Sequence, residues 1–401
     1  MLLAQFDTMQ IIRGRGEKLV RLPWALLAVT AALICVGLVF IYSASNFFSD
    51  EGVEAAYRTG DNFVFKQLFF ACVGGVGMVF VATSDYRKFA PIYHAAFLFG
   101  MFLLIACVVI GKEVNGAKSW IMIGPFGVQV AEYCKLCYIL TLAGFLRFRH
   151  NVESFRSLLL PLIPTFLMLA FILKQPDFGT AMVFVPVYFA IMWTSGARLS
   201  YILPMLGIGG SILPAAYFLT TGGVMEVFKP HQMERINTWL ASLTGGALDR
   251  SGEGYHITMS MNAIGSGGFS GTGYGQGTLS QYDYLPERHT DFIFSVISEE
   301  LGFLGVVLVF ALYFAFIALT LRVATQTREP FGRMICVGVA TMFFAHFMIN
   351  VGMTCGVMPV TGIPLAFISY GGSSLMTSLL AIGMVVSVHL HPTRVLGFSE
   401  N

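Results

Sequence analysis

Ten long apolar runs, separated mostly by short polar connectors, constrain this chain more than any motif in it. They cover 24–44, 67–83, 89–110, 129–146, 158–173, 179–195, 200–221, 292–321, 331–352 and 372–389. Most reach the roughly 20 residues needed to cross the hydrocarbon core of a bilayer. In lipid a backbone must satisfy its own hydrogen bonds, so such runs read as helices. Composition agrees: 56% of the 401 residues are hydrophobic and only 11% are charged, where a soluble domain carries about 25% charged residues. The expected fold class is an all-α polytopic membrane protein with about ten transmembrane helices. The runs at 158–173 and 179–195 are short and flank a single polar turn, which suits a re-entrant pair equally well.

Lys and Arg set the orientation. With the N-terminus inside, the inner segments hold 14 basic residues on short connectors, and the outer segments hold nine, only five of them outside the largest loop. Long loops count little in this rule, so both termini are expected to be cytoplasmic. Residues 1–23 form a juxtamembrane arm in which Arg13, Arg15, Lys18 and Arg21 suit contact with anionic membrane lipid. The apolar run after it is too long for a signal-peptide core, so no cleavable leader is expected. Residues 24–391 then form one transmembrane domain and 392–401 a short cytoplasmic tail. A net charge of +2 gives no reason to expect nucleic acid as a partner.

One connector dominates. Residues 222–290, between the seventh and eighth runs, face outward in this orientation. A structureless segment of that length is unusual, so it is expected to be functional and partly folded. Its stretch Gly265 to Gly277 is glycine-crowded, which serves either a flexible flap or tight turns against the membrane surface. It is no nucleotide fingerprint, because no strand precedes it and no Lys-Ser/Thr follows. Cys134 and Cys137 make a C-x-x-C, but without a second Cys pair or a His cluster they read as small residues of a membrane helix.

Chemistry concentrates in a few outer segments. Glu287, Arg288, His289 and Asp291 crowd the start of the eighth run, and Glu299-Glu300 lie two turns into it. Ionisable groups at or inside a span are costly and mark function by default. Asp291 suits two roles: a cap for the helix that begins there, or a carboxylate held at the water–lipid boundary. Glu132 and Lys135 are three residues apart, on one helix face, as a structural ion pair or as part of a site. Arg288 is the better phosphate ligand of the Arg288–His289 pair, because guanidinium binds phosphate bidentately. His94, His346 and Asn350 read as interhelical hydrogen-bonders. Polar clusters at 115–120, 174–180 and 356–374 also map outward, whereas the inner loops are plain basic connectors.

The stretch Leu285-Pro-Glu-Arg-His-Thr-Asp291-Phe-Ile-Phe294, with Glu299-Glu-Leu-Gly302, resembles the SEDS family (shape, elongation, division and sporulation). So do Asn115-Gly-Ala-Lys118, Pro176-Asp-Phe-Gly-Thr180, Gly265-Ser-Gly-Gly268, Asn350-Val-Gly-Met353, Pro359-Val-Thr-Gly362 and Ser369-Tyr-Gly-Gly-Ser373. The matches run from about residue 35 to residue 390 in family order, and the Arg-His-Thr-Asp variant with short tails resembles the elongation branch. Ser119 stands where the family often has Arg, and Val130-Ala131 where Pro-Ser usually precedes the Glu.

The resemblance implies a peptidoglycan glycosyltransferase that polymerises lipid II on the extracytoplasmic face of the plasma (inner) membrane. It implies a class B penicillin-binding protein as partner, with other membrane proteins of the elongation complex. Asp291 matches the family's essential acidic residue, and Asp283 a second acidic position. Lys118, Glu132 and Lys135 match polar positions near the site, while Glu287, Arg288 and His289 flank the aspartate. The expected reaction inverts an α-linked donor to a β-1,4 bond and expels undecaprenyl pyrophosphate. Asp291 is expected as general base, or as ligand with Asp283 of a divalent cation, Mg or Mn. Lys118, Arg288 and Lys135 are candidates to stabilise the pyrophosphate. Two other readings are a transporter that flips lipid II and a non-catalytic cell-wall scaffold. A transporter places its ionisable groups near the midplane, whereas here they gather on one side.

Overall fold

The computed structural model describes residues 22–45, 53–114, 117–124, 126–147, 155–223, 230–246, 252–282 and 284–392. The juxtamembrane arm, the C-terminal tail and Asp283 lie outside them.

Each of the ten apolar runs is a helix: α1 (Trp24–Ser45), α2 (Val53–Thr83), α3 (Tyr93–Ile110), α4 (Val130–Arg147), α5 (Phe155–Lys174), α6 (Phe178–Thr194), α7 (Leu199–Thr221), α11 (Ile293–Gln326), α12 (Pro330–Thr354) and α13 (Gly372–Leu390). Seven of these, α1, α2, α3, α7, α11, α12 and α13, contain stretches long and apolar enough to cross a membrane. The large connector folds into α8 (Pro230–Thr244), α9 (Gly252–Ser266) and the single turn α10 (Thr278–Gln281).

The expectation of an all-helical chain needs one correction. Between α3 and α4 lies a three-stranded antiparallel sheet, β1 (Lys112–Val114), β2 (Ala117–Ile123) and β3 (Phe126–Gln129). Trp120 pairs with Gln129 and Ile123 with Phe126 across a turn containing Gly124 at φ 60°. β1 and β3 are too short to show a period of two, and β2, AKSWIMI, ends in an unbroken apolar run instead of alternating, which is why they read only as a connector.

Burial separates a core from a lipid-facing shell. In α12 and α13, 72% and 78% of the apolar window is inside the protein, against 12% in α7. Apolar residues pointing outward on α2, α3 and α7 are what a bilayer solvates. Helix starts carry side-chain caps where the sequence supplies them: Asp177 accepts from the Thr180 amide at 2.9 Å, and Glu329 from the Gly332 amide at 2.8 Å.

Two irregular features position the site. The first is a break in α11, where Gly302 has φ 64° and ψ −155°, a conformation open essentially to glycine alone. The glycine-rich segment satisfies the backbone groups the break frees. Thr272 and Gly273 amides donate to the Glu299 and Glu300 carbonyls at 3.0 Å each, and the Phe303 and Leu304 amides donate to Gly268 and Phe269 at 2.9 and 3.3 Å. The approach is close enough that a Cβ on Gly271 would lie 2.0 Å from the Glu300 carbonyl oxygen. The glycine run is thus a splint for a broken helix, and the Glu299 carboxylate completes it by accepting from the Leu279 and Ser280 amides at 2.8 and 3.0 Å.

The second feature is the 356–371 segment, which dives into the bundle between α12 and α13. Leu365, Ala366, Phe367 and Ile368 are buried, and Gly37, midway along α1, packs against the Phe367 and Ile368 backbone. The Tyr313 hydroxyl donates to the Ala366 carbonyl, and Phe316 and Phe343 pack on the Phe367 ring at 5.3 and 5.0 Å. Non-helical backbone at such depth is tolerated only where protein surrounds it or a cavity adjoins it. Both conditions hold here.

Candidate active site

The 356–371 segment, the β-sheet, the middle of α2 and the starts of α6, α11 and α13 border a cavity of about 1610 Å³, with α8 and α9 also in its wall. Asp291 lies in its wall. The carboxylate belongs to a tight turn in which the amides of Thr290, Asp291 and Phe292 all donate to the Glu287 carbonyl, at 3.2, 3.1 and 3.3 Å. Glu287 adopts φ 47° to make this turn. The opposite edge of the turn is also pinned. The carbonyls of His289, Thr290 and Asp291 accept, in order, from the Tyr370 amide at 2.9 Å, the Ser369 hydroxyl at 2.5 Å and the Asn350 side-chain amide at 2.9 Å. With both backbone edges held, the Asp291 side chain has a fixed origin and projects toward Gly362, where a Cβ would come within 3.4 Å of its Oδ2. Gly362 has φ 69°, so the absence of a side chain beside the carboxylate is built into the loop conformation.

Charge around Asp291 is mixed. Lys66 on α2 and Arg235 on α8 line the cavity with Glu113, Asp177, Glu234 and Glu287. Lys66 Nζ sits 5.9 Å from the Phe63 ring centroid, a cation–π contact that steadies the ammonium at the rim. His256 also lines the cavity and stacks on Phe292 at 6.0 Å, and its Nδ1 is buried with no hydrogen-bond partner. Gln129 is tied to α13 by its amide, which donates to the Ser373 hydroxyl at 3.0 Å, so the sheet is anchored to the same helix that closes the cavity floor.

The other residues singled out in the sequence separate into different roles. Glu287 shares the cavity with Asp291 and accepts from the Thr290 hydroxyl at 3.1 Å. Arg288 is buried, and its Nε donates to the Ala44 carbonyl at 2.6 Å, fastening the turn to the end of α1 rather than facing the cavity. His289 packs between Phe63 and Tyr370, at 4.7 and 5.9 Å, and burial holds its pKa below the usual imidazole value. Lys118 is exposed on β2, and its neighbours Ser119 and Trp120, not Lys118 itself, line the cavity.

Glu132 and Lys135 are buried in α4, away from the cavity wall. Lys135 Nζ lies 2.5 Å from Glu132 Oε1 and 2.6 Å from His346 Nε2. An ammonium can only donate, so His346 Nε2 accepts and its Nδ1–H points to the Pro364 carbonyl at 3.4 Å. Through His346 this pair is linked to the Pro364 carbonyl of the 356–371 segment.

Lys66 and Arg235 were not singled out from the sequence. Lys66 stands one residue before the second apolar run, where it reads as an ordinary boundary charge. Arg235 lies on the amphipathic helix α8, whose Trp239 Nε1 donates to the Val357 carbonyl at 2.8 Å; that periodicity was the available signal.

A family model described as "Cell cycle protein", covering FtsW, RodA and SpoVE, matches residues 23–394. The chain belongs to this family. It is 34% identical to the peptidoglycan glycosyltransferase RodA of Treponema pallidum, covering 94% of this chain and 99% of that protein. It is 35% identical to the stage V sporulation protein E of Bacillus subtilis, over 90% of this chain and 95% of the relative. A chain solved within a peptidoglycan synthase complex, for the structural coordination of polymerization and crosslinking, superposes with a TM-score of 0.75 at 28% identity, covering 91% of this chain and 97% of the other.

Proposed function

We propose that this chain is a peptidoglycan glycosyltransferase, polymerising lipid II during cell elongation, with Asp291 as its catalytic carboxylate. The observation that carries the assignment is the Asp291 turn: both backbone edges are pinned, and the side chain lies in the wall of a large cavity that also holds Lys66 and Arg235.

The reaction joins a sugar hydroxyl to an anomeric carbon and expels a lipid pyrophosphate. The hydroxyl attacks on the face opposite the leaving group, so the anomeric centre inverts. As the new C–O bond forms, Asp291 accepts the hydroxyl proton. The anomeric C–O bond breaks and its electron pair leaves on the pyrophosphate, which needs positive charge more than a strong acid. Lys66 on α2 and Arg235 on α8 supply that charge from the cavity lining. Arg288, buried and bonded through Nε to the Ala44 carbonyl, holds the turn and is not among the residues that line the cavity.

Among the described residues no three His, Cys, Asp or Glu side chains converge as a metal cage. Mg²⁺ commonly uses only one or two carboxylates plus substrate phosphates, and Asp291 in this acid-rich cavity fits such a mode. A divalent cation bound there would neutralise pyrophosphate; Asp283 is the further carboxylate proposed for it.

The domain spans the membrane ten times with both termini in the cytoplasm, so the cavity opens outward and receives lipid II from the outer leaflet. A class B penicillin-binding protein crosslinks the product. Labelled lipid II incubated with the full chain and that partner tests the proposal. Polymer should form, and Asp291→Ala should reduce its rate by about 10²–10⁴-fold in a protein that still folds. Transport of lipid II without polymer would establish the flippase reading instead, and normal polymerisation by D291A would end the assignment.

A further inference from the structure

Asn350 is fully buried in α12, 59 positions along the chain from Asp291. Its Nδ2 donates to the Asp291 carbonyl at 2.9 Å and to the Ile363 carbonyl at 2.8 Å. A primary amide nitrogen carries two hydrogens, and both are used here on two different segments. One acceptor belongs to the turn that carries the carboxylate. The other is next to Gly362, the residue facing that carboxylate. The amide orientation follows from chemistry, because the reversed group would set its oxygen against two carbonyl oxygens.

The Oδ1 of Asn350 is buried without a partner. An unsatisfied buried acceptor is costly, so packing alone does not account for an amide at this position. Neither Leu, Asp nor Ser presents two hydrogens from one atom. One turn earlier on the same face, His346 reaches the Pro364 carbonyl, so α12 holds the cavity segment at two successive residues.

We propose that Asn350 is a positioning residue: its amide clamps the Asp291 turn to the backbone of Ile363 in the inserted segment and so fixes the carboxylate over the Gly362 gap. The inference rests on Asp291 being the catalytic group. The clamp sets the distance between the carboxylate and the opposite cavity wall, where the attacking hydroxyl must lie. It acts on the rate of the chemical step and not on capture of the substrate, because Asn350 itself is sealed from the cavity.

The test uses the full-length protein, with its transpeptidase partner, in lipid nanodiscs. Two variants are measured, Asn350→Leu and Asn350→Asp. The second keeps the side-chain volume and serves should the first not fold. Turnover and the lipid II KM are measured together with hydrogen–deuterium exchange of peptides covering 287–292 and 359–365. The expected result is a kcat lowered about ten- to hundredfold, as for a misplacement of about 1 Å, with KM within about threefold and faster exchange in both peptides. Full turnover in a folded variant overturns the proposal. So does unchanged exchange, since the clamp would then not hold these segments together. D291A is assayed in parallel: its retained activity would remove the Asp291 assignment, while faster exchange in the Asn350 variants would still report the clamp.

Discussion

Replacing Lys135 by Met should unfold this protein more readily than any substitution on its lipid-facing surface. Lys135 and Glu132 are 3% and 4% exposed, and the ammonium bridges Glu132 and His346 at 2.5 and 2.6 Å. Removing the cation strands a carboxylate in a low-dielectric interior, where its other oxygen keeps only a 3.3 Å bond from the Thr377 hydroxyl. Breaking one side of a buried pair costs about 3–5 kcal/mol, a factor of about 10² to more than 10³ in the unfolding equilibrium. Glu132→Gln alone should cost a similar amount, because Lys135 is then the orphan. The double variant Glu132→Gln/Lys135→Met should be less destabilised than the sum of the two, since no unpaired charge remains. Equilibrium unfolding in mixed micelles measures all three, and the coupling energy follows from the cycle. Additive losses would refute the ion-pair account. A double variant that is stable yet inactive with lipid II would instead move the pair from bracing the bundle to handling the substrate.

Gly302→Ala should destabilise the fold by about 2–5 kcal/mol, combining a disallowed backbone conformation with overpacking, because the new Cβ would lie 2.3 Å from the Gly271 amide nitrogen; thermal unfolding checks this, and an unshifted midpoint would show that α11 can straighten. Lys66→Ala and Arg235→Ala should each lower kcat/KM for lipid II about ten- to hundredfold, the value of one charge-assisted hydrogen bond at about 1.5–3 kcal/mol, while folding is unchanged; wild-type kinetics in both would take the pyrophosphate away from this rim. For His289, burial lowers the folded-state pKa, so its contribution to stability is complete above about pH 6.5, the unfolded value, and is lost as pH falls from there toward the folded value. His289→Phe should flatten that part of the stability profile, and an unaltered acid limb would show that another group governs it.

Apolar run length and the scarcity of charge determined the helical elements, because a membrane helix must be long and must satisfy its own backbone, and both requirements are local. Asp291 was legible as a candidate for the same reason: a carboxylate at the end of an apolar run stands out against its neighbours, and the structure sets it in the cavity wall. Glycine crowding at 265–277 announced an unusual backbone but not its purpose, which depends on a break in α11 some thirty residues away. Whether a charge near the site faces the cavity was decided only by packing. Arg288 and Lys66 are both ordinary boundary cations in the sequence, yet one is sealed against the Ala44 carbonyl and the other lines the cavity. The Asn350 clamp joins residues 59 and 13 positions apart, and no sequence period encodes a contact that exists only once α12, the Asp291 turn and the inserted segment have been brought together.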